Sequence, residues 1–416
     1  MVDSPERVCD GAFLMISVKP LTVALLILVS SQSPFNAQSA ASSMQQLTVD
    51  VGNPKAGVRR EALRELGKRG PEALVLLGRL VRDPELDIRE KAIATVIGVY
   101  VRSTARRSIG SAQDAFMLAP YRTTPYPVPP ELSTALIEAL ADDYESVRRD
   151  ATYAVGISMA PPVQPALSFE LVASLSDRFP SVRVAAAQVL GRLHVESAEV
   201  ALIGRINDED LDVRLAAMRA VGDLRAESAV VALADQFAYY VRGVAGRAAI
   251  DALARIGSSQ SRALFEAQTE SRYPAHRRAA YEGLARLGNL GPASPRIEAA
   301  MTNEKDERVQ AAMAFALTRS GHPAHERIFA ALADRDTTDQ VLEYLVELGP
   351  THATEIAAHL QDRNPLVREQ VAIALGFIGG PEAEAALNAA ASDETADVRM
   401  AVSVAQVRLR QGPGRR

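Results

Sequence analysis

Two stretches of the sequence decide the fold: DRFPSVRVAAAQVLGRL at residues 177–193 and DEDLDVRLAAMRAVGDL at residues 208–224. They begin 31 residues apart, and each has an aspartate, a short polar loop and apolar residues at helical spacing. Counting these two, a Val-Arg or Ile-Arg pair marks the same place in seven copies, at Val58, Ile88, Val147, Val182, Val213, Val367 and Val398. Degenerate copies begin at Ala245, His276, Val309 and Thr337. We call the first residue of each pair the anchor and count other positions from it.

Each copy reads as a unit of two helices, the second of which starts at the anchor. The apolar positions 0, +3/+4, +8 and +11 share one helix face. A unit of this size cannot bury its own apolar face, so stacking against its neighbours must bury it. The sequence therefore predicts an all-α solenoid of about eleven units over residues 44–410. Glycine at +12 suits a left-handed helix end in several copies: Gly70, Gly257, Gly288, Gly321, Gly349 and Gly379.

This pattern resembles the HEAT repeat, in particular the short variety named after phycobiliprotein lyases. The resemblance implies that a loop aspartate and an arginine of the second helix form a hydrogen-bonded ladder along the solenoid, which is a structural role. The aspartates lie five residues before the anchor, at Asp83, Asp142, Asp177, Asp208, Asp362 and Asp393. The arginines are Arg59, Arg89, Arg148, Arg183, Arg214, Arg368 and Arg399. Units between residues 240 and 340 lack one or both partners, which puts the ladder in doubt there.

The largest departure from the period is an insertion at residues 102–130. Insertions of this kind project from one edge of a solenoid and often belong to a binding face. Tyr121, Arg122, Tyr126 and the run Pro125–Pro130 resemble an extended, partly polyproline segment. The candidate partner-binding residues in the insertion are Arg106, Arg107, Tyr121, Arg122 and Tyr126. The alternative is a surface loop without a function.

Two columns of the second helices also stand out. At +6, polar residues early in the chain give way to Phe315, Ile373 and Val404, which predicts either an apolar binding patch or deeper burial. Phe315 and Ile373 are therefore further candidate partner contacts. Position +10 is repeatedly basic and suits either an acidic partner or the negative end of the helix dipole. The basic +10 residues are Lys68, Arg192, Arg255, Arg286, Arg319 and Arg408.

The N-terminus predicts export. If Met15 is the start, then Lys19 supplies a positive charge, Leu21–Val29 an apolar segment and Ala40 the end of a cleavage zone. The alternative is a membrane anchor over residues 11–29. We therefore assign residues 1–40 to a signal peptide or extension, and residues 411–416 to a disordered basic tail. The protein is expected to be periplasmic or extracellular, with no transmembrane segment once the signal is removed.

Composition narrows the function. A formal charge of −5 does not favour a nucleic-acid binder, which needs a concentrated basic face. The sequence contains no phosphate-binding glycine loop and no zinc-protease helix, so we expect no cofactor, no metal and no catalytic residue. The preferred function is a non-enzymatic scaffold of the cell envelope that holds a protein or peptide across the second helices. The alternative is a metal-dependent enzyme or an accessory lyase or oxidoreductase, with histidines between His322 and His359 as ligands. The sequence leaves the oligomeric state open.

Overall fold

The computed structural model describes residues 43–101, 110–124, 126–288, 290, 294–322, 324–334 and 336–410. The chain divides into two compact units, Met1–Gln46 and Leu47–Arg416, and the following concerns the second. The predicted signal peptide at 1–40, Arg106, Arg107 and the tail at 411–416 lie outside the described residues.

Helices alternate along the whole second unit, and the described residues contain no strand. The first helices of the repeats are α1 (43–50), α3 (Leu74–Leu80), α6 (Pro130–Ala139), α8 (Pro165–Ser174), α10 (Glu199–Arg205), α12 (Val230–Tyr239), α14 (Arg262–Gln268), α16 (Ser294–Met301), α18 (His325–Ala331), α20 (Ala353–Ala358) and α22 (Gly380–Ala389). The second helices are α2 (Ala56–Leu66), α4 (Leu86–Tyr100), α7 (Glu145–Ser158), α9 (Pro180–Arg192), α11 (Leu211–Asp223), α13 (Val244–Ile256), α15 (Pro274–Leu287), α17 (Glu307–Arg319), α19 (Thr338–Leu348), α21 (Pro365–Ile378) and α23 (Ala396–Arg410). One further helix, α5 (Ala112–Arg122), lies in the insertion. Within the described part of the chain, no helix is long and apolar enough to cross a membrane.

The core lies between consecutive units, as the period predicts. The anchors Val147, Val182 and Val213 are completely buried, and each second helix packs on the second helices before and after it. All six +12 glycines have positive φ, between 65° and 83°, and the prediction of a left-handed helix end is confirmed at Gly257 and Gly288. Since L-residues rarely adopt this region, glycine is the residue that stops these helices without strain.

Small residues at +9 and +7 let the second helices approach closely. A Cβ at Gly191 would lie 2.8 Å from Ala220 Cα, and one at Gly376 would lie 2.8 Å from Ala405 Cα. Real Cβ atoms do not come this close to a backbone atom, so the helix spacing here depends on the missing side chain. The same contact joins Gly222 to Ala252.

The ladder arginines bind two loops at once. Arg183 donates from Nη1 to the carbonyls of Asp177 and Arg178 in its own loop, and from Nε and Nη2 to both oxygens of Asp208 in the next loop. The same arrangement joins Arg59 to Asp83, Arg148 to Asp177 and Arg368 to Asp393, and Arg89 pairs with Asp142. Because these groups are buried or nearly so, each bidentate pair satisfies polar atoms that water cannot reach.

Among the described residues, some ion pairs of the ladder are missing where the repeat sequence is degenerate. Arg214 donates only to carbonyls of its own loop, because Tyr240 stands where the next loop would need an aspartate. Arg277 keeps a bidentate pair with Glu304, whereas Gln310 replaces the arginine of its unit and reaches only a loop carbonyl. In the last unit Arg399 likewise donates to two loop carbonyls. Units at 240–340 therefore need other contacts between them.

The insertion corrects the sequence interpretation. The expected extended segment is wrong for Tyr121 and Arg122, whose backbone belongs to α5. Ser111 caps this helix and accepts a hydrogen bond from the Asp114 amide. The insertion also does not simply project from an edge. Helix α5 packs on α7, which also contacts α4, α6 and α9. Residues 126–129 have no regular structure.

Candidate functional site: the concave groove

The second helices line one continuous groove, which we call the concave groove. It has a volume of about 1880 Å³ and extends from α7 to α23, with residues of α5 and of the loop after α7 at its N-terminal end. Positions +6 and +10 contribute lining residues from every second helix between α9 and α23 except α17. Small-molecule sites usually occupy about 300–1,000 Å³, so this groove is large enough for a segment of polypeptide.

The N-terminal end of the groove is aromatic and is filled by α5. Phe116 is 2% exposed, and its ring centroid lies 5.3 Å from that of Tyr153. The guanidinium carbon of Arg192 lies 3.3 Å from the same ring centroid. A Cβ at Gly156 would lie 2.7 Å from Phe116 Cε2. The absence of a side chain at Gly156 therefore lets α5 lie directly on α7.

The centre of the groove is crossed by an ion-pair network that joins distant units. Arg255 on α13 donates to both carboxylate oxygens of Glu343 on α19, at 2.6 and 3.0 Å. Arg286 on α15 donates from Nε and Nη2 to Glu347 on α19, with contacts of 2.5–3.2 Å. Its guanidinium also lies 3.5 Å from Glu343. Helix α19 is thus bound to units two and three positions earlier, across the groove.

A second part of the network lies beside the first. The Tyr344 hydroxyl donates to Glu282 Oε1 at 2.5 Å, and Arg278 donates to the same oxygen at 2.8 Å. Arg278 also donates to Asp251 Oδ1 at 2.6 Å. Tyr344 is 1% exposed and Glu282 is 5% exposed, so these hydrogen bonds satisfy polar groups that are removed from water.

The groups of the network have shifted pKa values. Burial raises the pKa of Asp251 to about 6, although Arg278 opposes the shift. Burial would also raise the pKa of Glu343, but the charges of Arg255 and Arg286 outweigh it and lower that pKa. Burial raises the pKa of Tyr344 well above its ordinary value. At neutral pH Glu343 is therefore charged and held by two arginines, whereas the pKa of Asp251 lies close enough to neutrality for a mildly acidic solution to protonate it.

The structure corrects the prediction that Phe315 contacts a partner. It is completely buried and stacks on Tyr344 with 4.3 Å between ring centroids and 6° between ring planes. Of the two alternatives for this +6 position, a binding patch or deeper burial, burial is therefore correct, because α19 covers the side chain. Phe315 is no longer a candidate partner contact. Ile373 lines the groove and is 8% exposed, whereas Val404 is partly exposed.

Of the remaining candidate residues of the insertion, the structure describes the side chain of one and not those of the other two. Tyr126 lines the groove, and its ring centroid lies 6.2 Å from that of Tyr100. The backbones of Tyr121 and Arg122 belong to α5, and their side chains lie outside the described residues. Their contacts with a partner stay a prediction.

The histidines considered as metal ligands have separate surroundings. His322 lies 3.5 Å from Glu298, His352 contacts Thr351, and His359 stacks on Phe329 at 3.5 Å between ring centroids. The side chain of His325 is outside the described residues. Among the side chains that are described, no group of three or more histidine, cysteine, aspartate or glutamate residues could hold a metal ion.

The pKa of Asp251 predicts a pH dependence of stability. In the unfolded chain this carboxyl titrates near 3.9, and in the fold near 6, so between these values only the folded state keeps the proton. Stability should therefore fall as the pH rises from about 4 to about 6, by at most about 3 kcal/mol. Asp251→Asn should remove this component. The measurement is the Tm of both proteins from pH 4 to 8.

The difference between the two pH profiles isolates Asp251, since the other carboxylates are common to both proteins. The groups that face it are Arg278, Glu282, Arg247 and Arg255, and all remain in the variant. Asp339→Asn, at an exposed position of the same groove, is the control and should follow the wild-type profile. Parallel profiles for wild type and Asp251→Asn would contradict the prediction.

The residues at position +6, or those at position +10, do not reveal the network when they are compared only with the same position in other units. Position +10 predicts a basic stripe, yet two of the residues at this position are acidic, Asp223 and Glu347. Position +6 likewise contains Asp251, Glu282 and Glu343. Comparing both columns across neighbouring units would have shown complementary charges in the degenerate region. The long-range pairing with α19 has no signal in the spacing.

Comparisons with known proteins agree with this architecture. The family model for HEAT repeats matches residues 170–248, 240–318 and 326–406, together more than half of the chain. A search of curated proteins gave no match. Among solved structures, Kap121p bound to Ste12p is 13% identical over 91% of this chain and 45% of that chain, with a TM-score of 0.39.

Two further structures are similar at low identity. The complex of CpcE and CpcF, the phycocyanin lyase of Nostoc, is 22% identical over 68% of this chain and 96% of that chain, with a TM-score of 0.37. Human deoxyhypusine hydroxylase is 20% identical over 67% and 96%, with a TM-score of 0.28. At these identities each likeness concerns the fold alone. With the family model covering most of the repeat region and the helix pairs from α3 and α4 to α22 and α23 stacked in the second unit, this chain belongs to the HEAT-repeat family.

Proposed function

We propose that this protein is a non-enzymatic scaffold that holds a segment of a partner polypeptide in the concave groove. The observation that carries the proposal is α5. This helix belongs to the same chain, yet it packs on the groove-facing side of α7 with Phe116 as its buried contact. The concave face therefore already binds one helix, and the groove continues beyond it through α23.

The charge of the open part of the groove favours an acidic partner. Arg219, Arg225 and Arg247 line the groove and are exposed. Arg219 lies 4.0 Å from Asp223, which also pairs with Arg255 at 3.3 Å. Exposed cations on a concave surface attract an oppositely charged partner and speed its association. A polypeptide with acidic side chains at this point would complement them.

A photo-crosslinking residue at position 247 tests the proposal directly. We expect Arg247→benzoylphenylalanine to crosslink a discrete polypeptide in extracts of the cells that make the protein, and an excess of unmodified protein to suppress the product. Because the sequence predicts export, envelope and cytosolic fractions are tested side by side. The matched control is the same residue at Val200, which is 83% exposed on α10 and does not line the groove.

The proposal predicts crosslinks at position 247 that are absent at position 200. Equal labelling at both positions would indicate nonspecific contact and contradict a groove-bound partner. The absence of any product at position 247 in both fractions, with a folded protein of wild-type Tm, would also contradict it.

A further inference from the structure

We propose that Arg408 is an anchor for a carboxylate group of the bound polypeptide, at the C-terminal end of the concave groove. This inference rests on the proposed function and adds to it the chemical group that the groove recognises. It concerns the last repeat unit, far along the chain from α5 and from the exposed arginines of α11 and α13.

Arg408 is built into the wall of the groove. It lies in the last turn of α23, is 8% exposed and lines the groove together with Ile373 and Phe377 of α21. Its guanidinium carbon lies 3.8 Å from the centroid of the Phe377 ring. The face of the guanidinium therefore rests on the ring, which leaves its N–H edge for other contacts.

No carboxylate of the described residues pairs with this guanidinium. The contrast with Arg286 is direct, because both arginines occupy +10 and are similarly buried. Arg286 has Glu347 within 2.5 Å, whereas the described chain offers Arg408 only the aromatic ring. Burial lowers the pKa of Arg408 to about 10, so the group still carries its charge at neutral pH.

A buried charge without a counter-ion is costly for a fold, and the ring offsets only part of that cost. A ligand that brings one negative charge would remove the remainder. The neighbouring walls Ile373 and Phe377 are apolar and add no second cation. A monovalent, planar carboxylate matches a single guanidinium, whereas a phosphate dianion would leave one negative charge unpaired in the same place.

The first test is a titration of the full chain followed by NMR of its labelled arginine side chains. The probe is N-acetyl-glutamic acid amide, which presents a side-chain carboxylate, and its neutral match is N-acetyl-glutamine amide. The Nε–H signal of Arg408 should shift and saturate with the first probe and stay unchanged with the second. N-acetyl-glycyl-glycine tests a C-terminal carboxylate as the source. An Arg408 signal that responds to neither carboxylate, or more strongly to inorganic phosphate, would overturn the proposal.

The second test uses stability, where a structural role and a ligand-binding role predict opposite signs. Arg408→Met keeps the length of the side chain and removes the unpaired charge. We therefore expect its Tm without ligand to be higher than that of wild type, together with at least a tenfold loss of affinity for the carboxylate probe. The control is Arg410→Met, two residues later and exposed, which should change neither. A lower Tm for Arg408→Met would show that the guanidinium stabilises the fold and would overturn the proposal.

The two proposals fail separately. If the crosslink at position 247 forms equally well in wild type and Arg408→Met, and the Arg408 signal ignores carboxylates, the groove binds a polypeptide but Arg408 is not its anchor. If the Arg408 signal responds to carboxylates while position 247 crosslinks nothing, the anion site exists and the proposed scaffold function is wrong.

Discussion

Arg286→Met will destabilise the protein by about 3–5 kcal/mol, the usual cost of removing one partner from a buried ion pair. The Arg286 side chain is 5% exposed and binds Glu347, which is 13% exposed. Without the guanidinium, the carboxylate of Glu347 keeps its position in the groove but loses its strongest partner. Thermal and urea unfolding followed by circular dichroism measure the loss.

The double variant Arg286→Met/Glu347→Leu makes this prediction specific. Replacing both partners of a buried pair by apolar side chains of similar volume is often neutral. The double variant should therefore be more stable than Arg286→Met alone. The control is Arg64→Met, because the pair of Arg64 with Glu61 is exposed and such pairs contribute little. Two outcomes would show that the ion pair does not stabilise the packing of α15 on α19. Arg286→Met would unfold like wild type, or the double variant would be less stable than both wild type and Arg286→Met.

Gly191→Val will separate two repeat units. A Cβ at this position would lie 2.8 Å from Ala220 Cα and 3.0 Å from Ala220 Cβ, and the first of these atoms is backbone that cannot rotate away. Helices α9 and α11 must therefore move apart. We expect a loss of about 3 kcal/mol, at the upper end of overpacking effects. Because repeats are stabilised mainly by their neighbours, unfolding should also become biphasic.

The matched control is Gly204→Ala in α10. A Cβ at Gly204 would meet no atom within 4 Å, so alanine should be neutral or stabilising by up to about 1 kcal/mol through its helix propensity. Differential scanning calorimetry of both variants is the measurement. A single transition at the wild-type temperature for Gly191→Val would contradict the close helix contact.

The sequence predicted the parts of the fold that depend on local pattern. The period of about 31, the apolar face of the second helices and the +12 glycines each follow from contacts repeated in every unit. The ladder pairs, such as Arg183 with Asp208, lie 25 residues apart and repeat with the period. Repetition makes such contacts visible in one sequence, because the same residues return at the same place.

The predictions that were wrong or left open concern contacts that occur at one place in the fold and do not repeat with the period. Helix α5 carries a local signal that was overlooked, since Ser111 and Asp114 mark a helix start before the apolar Ala115 and Phe116. The sequence gives no such signal for the packing of α5 on α7, because that packing depends on the missing side chain at Gly156. Phe315 was ambiguous for the same reason, since only the position of α19 decides whether that column is open or covered.

By itself, the sequence determined that this chain is a stack of two-helix units with a buried seam between neighbours, because each unit must cover its apolar face with the next. The tertiary structure alone decided what the groove contains. The curvature of the stack brings Glu343 within 2.6 Å of Arg255, 88 residues earlier. It leaves Arg408 buried on Phe377, with no carboxylate partner among the residues that the structure describes. Curvature is the sum of small rotations at every unit, and it is set by packing details such as the Gly191–Ala220 contact. No residue pattern within one unit encodes that sum.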